Sequence, residues 1–472
     1  MSTEGGPLFR LLRRFVDIRP EELRGALLAC GYFFCLLTSY AILRPLRDEM
    51  GVRNQEELKW LFTGTMAGML LAQPVFAWLV THWPRRKFLP WVYRFFALNL
   101  IGFWALLSFG SPETIKLGTQ IFFSWVSVYN LFIISIFWSF MADLFRLEQS
   151  RRLFGFLSVG GSIGAIVGAS ITSFLAKPLG PLQLLLVSAV LLEAAVWMVH
   201  ALVRNFGIND EIADKRAAEN APTSPRTAST TTSAAASAAT VSSSIEKTEH
   251  GGVFTGMKLV FQSPYLLGIC GYMFFYTLLN TFLYFEQSLI VKAAVTESAD
   301  RTALFARMDL SVNILAAVGQ FVLTGRIVKR LGIGLTLLSQ PLLATIAFVA
   351  LGLSPVLGVI VVCQVCLRAA NFATAKPARE MLFTVLGREV KYKSKSFIDT
   401  FIYRGGDQIG AWAFDFLKKA MEIREISFVA VPLGAVWMGV AYALGRKQRR
   451  FEAELEANAA GDVAPAAAIV EP

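Results

Sequence analysis

Twelve apolar runs, each close to the roughly 20 residues a helix needs to cross a hydrocarbon core, constrain this chain more than any other feature. Their cores are 24–45, 58–80, 88–109, 115–141, 152–175, 181–203, 264–290, 302–325, 331–353, 356–384, 394–417 and 425–445. Backbone groups in lipid must pair internally, so each run reads as a helix. Stretches such as Leu131-Phe-Ile-Ile-Ser-Ile-Phe137 lack the alternation of a β-barrel strand. Composition agrees: 17% of the 472 residues are charged, against about 25% in soluble domains. This excludes an ordinary soluble enzyme and a disordered or collagen-like chain. The net charge of +11 comes from short basic clusters between apolar runs, never a continuous stripe, which argues against a nucleic-acid partner. Five cysteines exclude a disulfide scaffold.

Basic residues fix the expected orientation. The side holding the N-terminus carries 29 Lys and Arg, the other side 12, and four more (Arg94, Arg368, Lys376, Arg404) lie inside helices. Both termini are therefore expected in the cytoplasm. Residues 1–23 read as a cytoplasmic or interfacial segment, with Leu8, Phe9, Leu12 and Phe15 on one face of a helix. Four arginines precede the first span and no small-residue cleavage site follows a short apolar core, so no secretory signal is read. Residues 205–252, rich in Ala, Ser and Thr, read as a disordered cytoplasmic linker. It divides a six-helix bundle at 24–204 from another at 253–446, and 447–472 form a flexible cytoplasmic tail.

The two halves repeat. Gly160-Gly161-Ser162-Ile163-Gly164-Ala165 in the fifth run matches Gly405-Gly406-Asp407-Gln408-Ile409-Gly410-Ala411 in the eleventh, and each follows a basic loop. Arg85-Arg86-Lys87 after the second run mirrors Arg326, Lys329 and Arg330 after the eighth. Three matches in register resemble the plan of the major facilitator fold. The expected class is an all-α membrane protein of twelve transmembrane helices in two pseudo-symmetric six-helix bundles. That plan places a substrate cavity at the midplane and moves it by rocking.

Ionisable residues inside spans are costly and are functional candidates by default. Arg44, Arg47, Asp48 and Glu49 cluster at the end of the first span, with Arg44 and Asp48 four apart on one face. Arg94 lies in the third span and Glu193 mid-way along the sixth, Glu286 ends the seventh and Asp309 begins the eighth. The tenth carries Arg368, Lys376 and Glu380, the eleventh Asp399, Arg404 and Asp407. Arg and Lys here suit phosphate or carboxylate oxygens. The acids either compensate the empty cavity, gate it or carry protons. At helix ends (Asp48, Glu49, Asp143, Arg379) salt bridging between helices is the favoured reading; for Arg368, Lys376 and Arg404 a binding role is.

Other signals are discounted. Cys363-Gln-Val-Cys366 sits in an apolar span with no second pair. Gly160, Gly164 and Gly168 follow no strand and read as close helix packing. There is no Walker-type phosphate loop, and the three histidines form no metal set, so neither cofactor nor metal is expected. Pro74, Pro341 and Pro377 are expected to bend their spans or, at Pro377, to break one.

Four segments resemble the bacterial and plastid ATP:ADP antiporter family. They are Ser39-Tyr-Ala-Ile-Leu-Arg-Pro-Leu-Arg-Asp48; Phe137-Trp-Ser-Phe-Met-Ala-Asp143; Gln149-Ser-Arg-Arg-Leu-Phe154 with Gly160 to Gly164; and Ala375-Lys-Pro-Ala-Arg-Glu-Met381 with Lys393-Ser-Lys-Ser-Phe-Ile-Asp399 and Arg404-Gly-Gly406. The resemblance implies exchange of nucleoside phosphates by a twelve-span protein, with Arg47, Glu286 and Lys376 at charged positions the family needs for transport. Arg47 stands where the family has Lys, no fourth-span Glu occurs near Val126–Tyr129, and Pro377 and Ala378 interrupt the Lys–Glu pairing.

The leading expectation is a secondary transporter, not an enzyme, that moves an anionic organic phosphate such as ATP or ADP. Arg44, Arg47, Arg94, Glu286, Arg368, Lys376 and Arg404 would bind it. Asp48, Asp309, Glu380, Asp399 and Asp407 would couple or gate. Two alternatives stay open: a proton-coupled transporter of another solute, with Asp309, Asp399 or Asp407 titrating, and a non-transporting scaffold or sensor. The expected setting is the inner membrane of a bacterium, with the lipid bilayer and substrate as the partners of a monomer.

Overall fold

In a computed structural model the described residues are 18–19, 22–83, 85–145, 147–205, 253–320 and 325–459. The interfacial segment, most of the linker and the end of the tail lie outside them. Helices account for nearly all of the rest: α1 (Leu23–Arg53), α2 (Leu58–His82), α3 (Arg85–Phe109), α4 (Pro112–Leu144), α5 (Leu147–Leu179), α6 (Gln183–Asn205), α7 (Val253–Gln262), α8 (Pro264–Ala294), α9 (Ser298–Gly319), α10 (Gly325–Leu353), α11 (Leu357–Ala370), α12 (Lys376–Met381), α13 (Arg388–Phe397), α14 (Tyr403–Lys418) and α15 (Ile423–Ala459). A 3₁₀ turn, Gln55–Glu57, precedes α2, and π turns occupy Asn371–Ala375 and Ile398–Ile402.

Among the described residues eleven helical segments are long and apolar enough to cross a membrane. They match eleven of the expected runs. The remaining run, 394–417, is the charged path from α13 through the second π turn into α14. Ser-Pro pairs start two of the spans: Ser111 and Ser263 accept hydrogen bonds from the backbone N–H groups of Thr114 and Leu266, and Pro112 and Pro264 occupy the first turn, where their missing N–H costs nothing. α10 is bent at Gly332, whose φ of 73° lies in the left-handed region.

The chain divides into two compact units that do not follow the linker alone. The first comprises 1–50, 67–246 and 297–310; the second comprises 51–66, 247–296 and 311–472. The start of α2 thus belongs with the C-terminal helices, and the start of α9 with the N-terminal ones.

In the first unit, α5 lies directly against α1. A Cβ at Gly164 would meet the carbonyl oxygen of Phe34 at 2.5 Å, one at Gly168 that of Thr38 at 2.5 Å, and one at Gly160 that of Cys30. Aromatic rings fill the core beside this seam, with Phe33 stacked on Phe137 at 4.1 Å and Tyr32 hydrogen-bonded to Tyr93. A buried hydroxyl cluster joins Ser39 to Tyr129 (2.7 Å) and Ser188 (2.6 Å). At the start of α1, Glu22 accepts from the Arg19 N–H (3.1 Å), Gln149 (2.9 Å) and Arg152 (3.0 Å). Burial pushes the Glu22 carboxyl up, but these three donors more than offset it and hold it below its ordinary value.

In the second unit α14 repeats the α5 seam. A Cβ at Gly406 would collide with Thr277 of α8, and one at Gly410 would meet Thr281 at 3.0 Å. The repeated glycine motif therefore does the same job twice: it lets a helix backbone touch its neighbour, the packing expected of small residues in membrane helices. Lys59 and Asp415 close a 2.6 Å ion pair in the same unit.

Two outcomes follow. Gly406→Ala should lower stability by about 1–3 kcal/mol, whereas Gly405→Ala, one residue away with nothing within 4 Å of its Cβ, should be tolerated; denaturant titration in mixed micelles checks both. Because the Glu22 carboxyl is held below its ordinary value, its stabilisation is full above the unfolded pKa of about 4.3 and fades as pH falls through the lower folded value. The melting-temperature gap between wild type and Glu22→Gln should be present at neutral pH and close on acidification.

Candidate functional site

Pro377 has no N–H to donate to the carbonyl four residues back, and its ring crowds that carbonyl. The chain answers with the π turn Asn371–Ala375, which widens the helix just before Lys376. The expected disturbance at Pro377 is thus a π turn that joins α11 to α12 without ending the helical path. A second π turn, Ile398–Ile402, carries Asp399 and leads into α14. Nothing in its local sequence demands it.

These turns organise one charged cluster within the second unit. Lys395 of α13 pairs with Glu380 of α12 at 2.6 Å, with both side chains largely buried. Lys376 feels the charges of Arg379, Glu380, Asp399 and Lys395. Asp399 feels those of Arg379, Lys395, Glu380 and Lys376, and its side chain is exposed. Arg379 donates toward the Met273 Sδ at 3.2 Å, and its guanidinium lies 6.0 Å from the centre of the Tyr276 ring on α8. Tyr276 in turn is within the field of Arg368 and Asp407. Arg404 pairs with Asp407 at 3.4 Å and lies over Tyr403, while Thr281 donates to the other Asp407 oxygen at 3.4 Å. Among the described residues five cations (Arg368, Lys376, Arg379, Lys395, Arg404) thus share this region with three acids (Glu380, Asp399, Asp407). The arrangement can hold a ligand bearing more than one negative charge, with Tyr276 and Tyr403 offering ring faces.

The structure places the other candidates elsewhere. In the first unit Arg44 pairs with Asp309 at 3.6 Å, and Asp309 is buried. Arg47 donates to the Phe123 carbonyl at 3.1 Å, lies 4.0 Å over the Phe123 ring and sits 3.6 Å from Asp48. Arg301 pairs with Glu49 at 3.0 Å. Arg94 forms a forked pair with Glu193, at 2.8 Å for the shortest contact, on an exposed surface. Glu286 is fully buried in the second unit, where Ser427 lies 2.9 Å away. Lys376, Arg368, Arg404, Glu380, Asp399 and Asp407 are therefore brought together within the second unit, and Arg44, Arg47, Asp48, Asp309 and Arg94 belong to the first. Two members are not among the sequence-derived binding candidates: Arg379, a helix-end charge, and Lys395. The signal for Arg379 is its three-residue spacing from Lys376, which puts both on one side of a helix.

Comparison with known proteins fits this helical plan. The Major Facilitator Superfamily model matches residues 25–384. The chain belongs to the Major Facilitator Superfamily. No curated protein sequence matches it. Solved structures do: an auto-inhibited peptide transporter of the POT family aligns with a TM-score of 0.57 at 15% identity, covering 95% of this chain and 99% of the other. The nucleoside transporter NupG aligns with a TM-score of 0.58 at 11% identity, covering 90% and 98%. At such identities the likeness is one of fold. This major facilitator chain is a multi-pass membrane protein with the fold of a secondary transporter.

The Lys395–Glu380 pair supplies a test of the cluster. Lys395→Ala leaves a largely buried carboxylate without its ammonium and should cost about 3 kcal/mol, the low end for breaking a buried pair. The double variant Lys395→Ala/Glu380→Ala should recover part of that loss in a double-mutant cycle.

Proposed function

We propose that this transporter moves an anionic organic phosphate by alternating access, with exchange of ATP and ADP as the leading reading. The observation that carries it is the excess of cations over acids around the two π turns, within helices of a membrane protein. Such charge is tolerated there when it serves a substrate or ion pathway. Arg379 and Arg404 supply forked donors suited to phosphoryl oxygens, and Lys376 and Lys395 supply point charges. The resemblance of Ala375–Met381 and Lys393–Asp399 to the nucleotide antiporter block adds the substrate class. Arg368, Lys376 and Arg404 are assigned to binding, joined by Arg379. Asp399 and Asp407 balance the empty site. Arg44, Arg47, Asp48 and Asp309 act in gating, through the pairs that they form in the first unit.

The protein resides in a bacterial inner membrane as a monomer with both termini in the cytoplasm, a reading supported by the excess of basic residues on the side of the N-terminus.

The experiment is uptake of labelled ATP by proteoliposomes loaded with ADP. Uptake should require internal ADP and fall at least tenfold in Lys376→Ala. Absence of uptake by well-folded wild type would overturn the nucleotide assignment. Unchanged uptake in Lys376→Ala and Arg379→Gln would remove the cluster from the transport path.

A further inference from the structure

Glu286 sits on α8 with none of its surface exposed. Its Oε2 has no hydrogen-bond partner. Its Oε1 lies 2.9 Å from the hydroxyl oxygen of Ser427 on α15. That same hydroxyl lies 3.0 Å from the backbone carbonyl of Ile423. A serine hydroxyl has one proton to give, and a carbonyl oxygen only accepts. If Ser427 donates to Ile423, as serines in membrane helices commonly do to the carbonyl four residues back, the Ser427–Glu286 contact needs a proton from the carboxyl side. If instead Ser427 donates to Glu286, an ionised carboxylate is left in a fully buried site with one neutral donor and one bare oxygen. Burying a charge on those terms is far more costly than keeping the acid neutral.

On α11 the titratable neighbour is Cys363, which senses Glu286. From α14 comes Phe414, packed on Phe282 and Phe285, and from the start of α2 comes Phe62, packed on Tyr284 and Phe285. The ionisable groups on these elements are engaged elsewhere. Asp415 of α14 pairs with Lys59 of α2 and with Lys419. Arg424 of α15 donates to the Gly352 and Leu353 carbonyls of α10, and Glu425 accepts from the Glu422 N–H. Lys292 of α8 and Glu56 of the 3₁₀ turn are exposed. Arg379 and Arg368 meet α8 near Tyr276, ten residues and about 15 Å of helix away, and the Arg404–Asp407 pair meets it at Thr281, five residues and about 7.5 Å away. Among the described residues no cation forms an ion pair with Glu286.

We propose that Glu286 is a proton-binding site: it is held here as a neutral carboxylic acid whose Oε1–H donates to Ser427 Oγ, while Ser427 O–H donates to Ile423. Proton and bonds balance: the acid keeps its proton, and Ser427 Oγ accepts one hydrogen bond and donates one. Any movement that separated α15 from α8 would remove that acceptor, so the contact ties protonation of Glu286 to helix position. This inference does not depend on the anion reading above.

Infrared spectroscopy of the purified full-length protein tests it without any transported substrate. At neutral pH the wild type should show the C=O stretch of a protonated carboxylic acid that is lost in Glu286→Gln, a neutral near-isostere of the protonated side chain. In Ser427→Ala, which keeps Glu286 in place, that band should shift to higher frequency because the acid has lost its acceptor. Loss of carboxylate bands in place of the acid band in Glu286→Gln would overturn the proposal, as would an acid band that does not move in Ser427→Ala. Failure of ATP uptake would leave both infrared results standing, so the two accounts fail separately.

Discussion

A charge inside a membrane helix persists only where another group answers it, and this chain is built around that constraint. In the first unit the answers are direct pairs: Arg44 with Asp309, Arg301 with Glu49, and Arg47 with Asp48, the Phe123 carbonyl and the Phe123 ring. In the second unit the charges gather around two π turns, where five cations meet three acids. Glu286 is the contrasting case, a fully buried carboxyl whose Oε1 lies against the Ser427 hydroxyl and whose Oε2 has no hydrogen-bond partner. Each arrangement is a different solution to one electrostatic problem: pairing, clustering around a site for an opposite charge, and neutralisation by a proton.

Close backbone contact makes these positions possible. Gly160, Gly164 and Gly168 let α5 touch α1, and Gly406 and Gly410 let α14 touch α8. Without side chains between them, α14 and α8 approach near enough for Thr281 to reach Asp407. A membrane offers no hydrophobic drive for helix association, so van der Waals packing of this kind supplies much of the cohesion. The same seam in both halves gives the internal repeat a physical meaning.

The spans were legible because length and apolarity alone define them, and the glycine repeat because small residues at helical spacing have few other uses. Ion-pair partners were not legible. Arg44 and Asp48 share a helix face, but spacing did not show that Arg44 also pairs with Asp309, far along the chain, or that Asp48 lies against Arg47. Lys376 and Glu380 are four apart, yet Glu380 pairs with Lys395. Local spacing states which partners can meet, while tertiary packing chooses among them. Arg94 and Glu193 were visible as charges within spans, but only the fold shows that they pair with each other on an exposed surface. Pro377 announced a disturbance; its form, a π turn that carries the chain on to Lys376, required the structure.

If the cluster around the π turns holds the substrate, it selects for negative charge. The most direct measurement compares calorimetric binding of ATP and of adenosine to the purified protein, with Arg379→Gln as control. ATP should bind at least tenfold more tightly than adenosine, more weakly as salt rises, and lose that advantage in Arg379→Gln. Equal binding of adenosine and ATP, insensitive to salt and to the substitution, would contradict selection by charge.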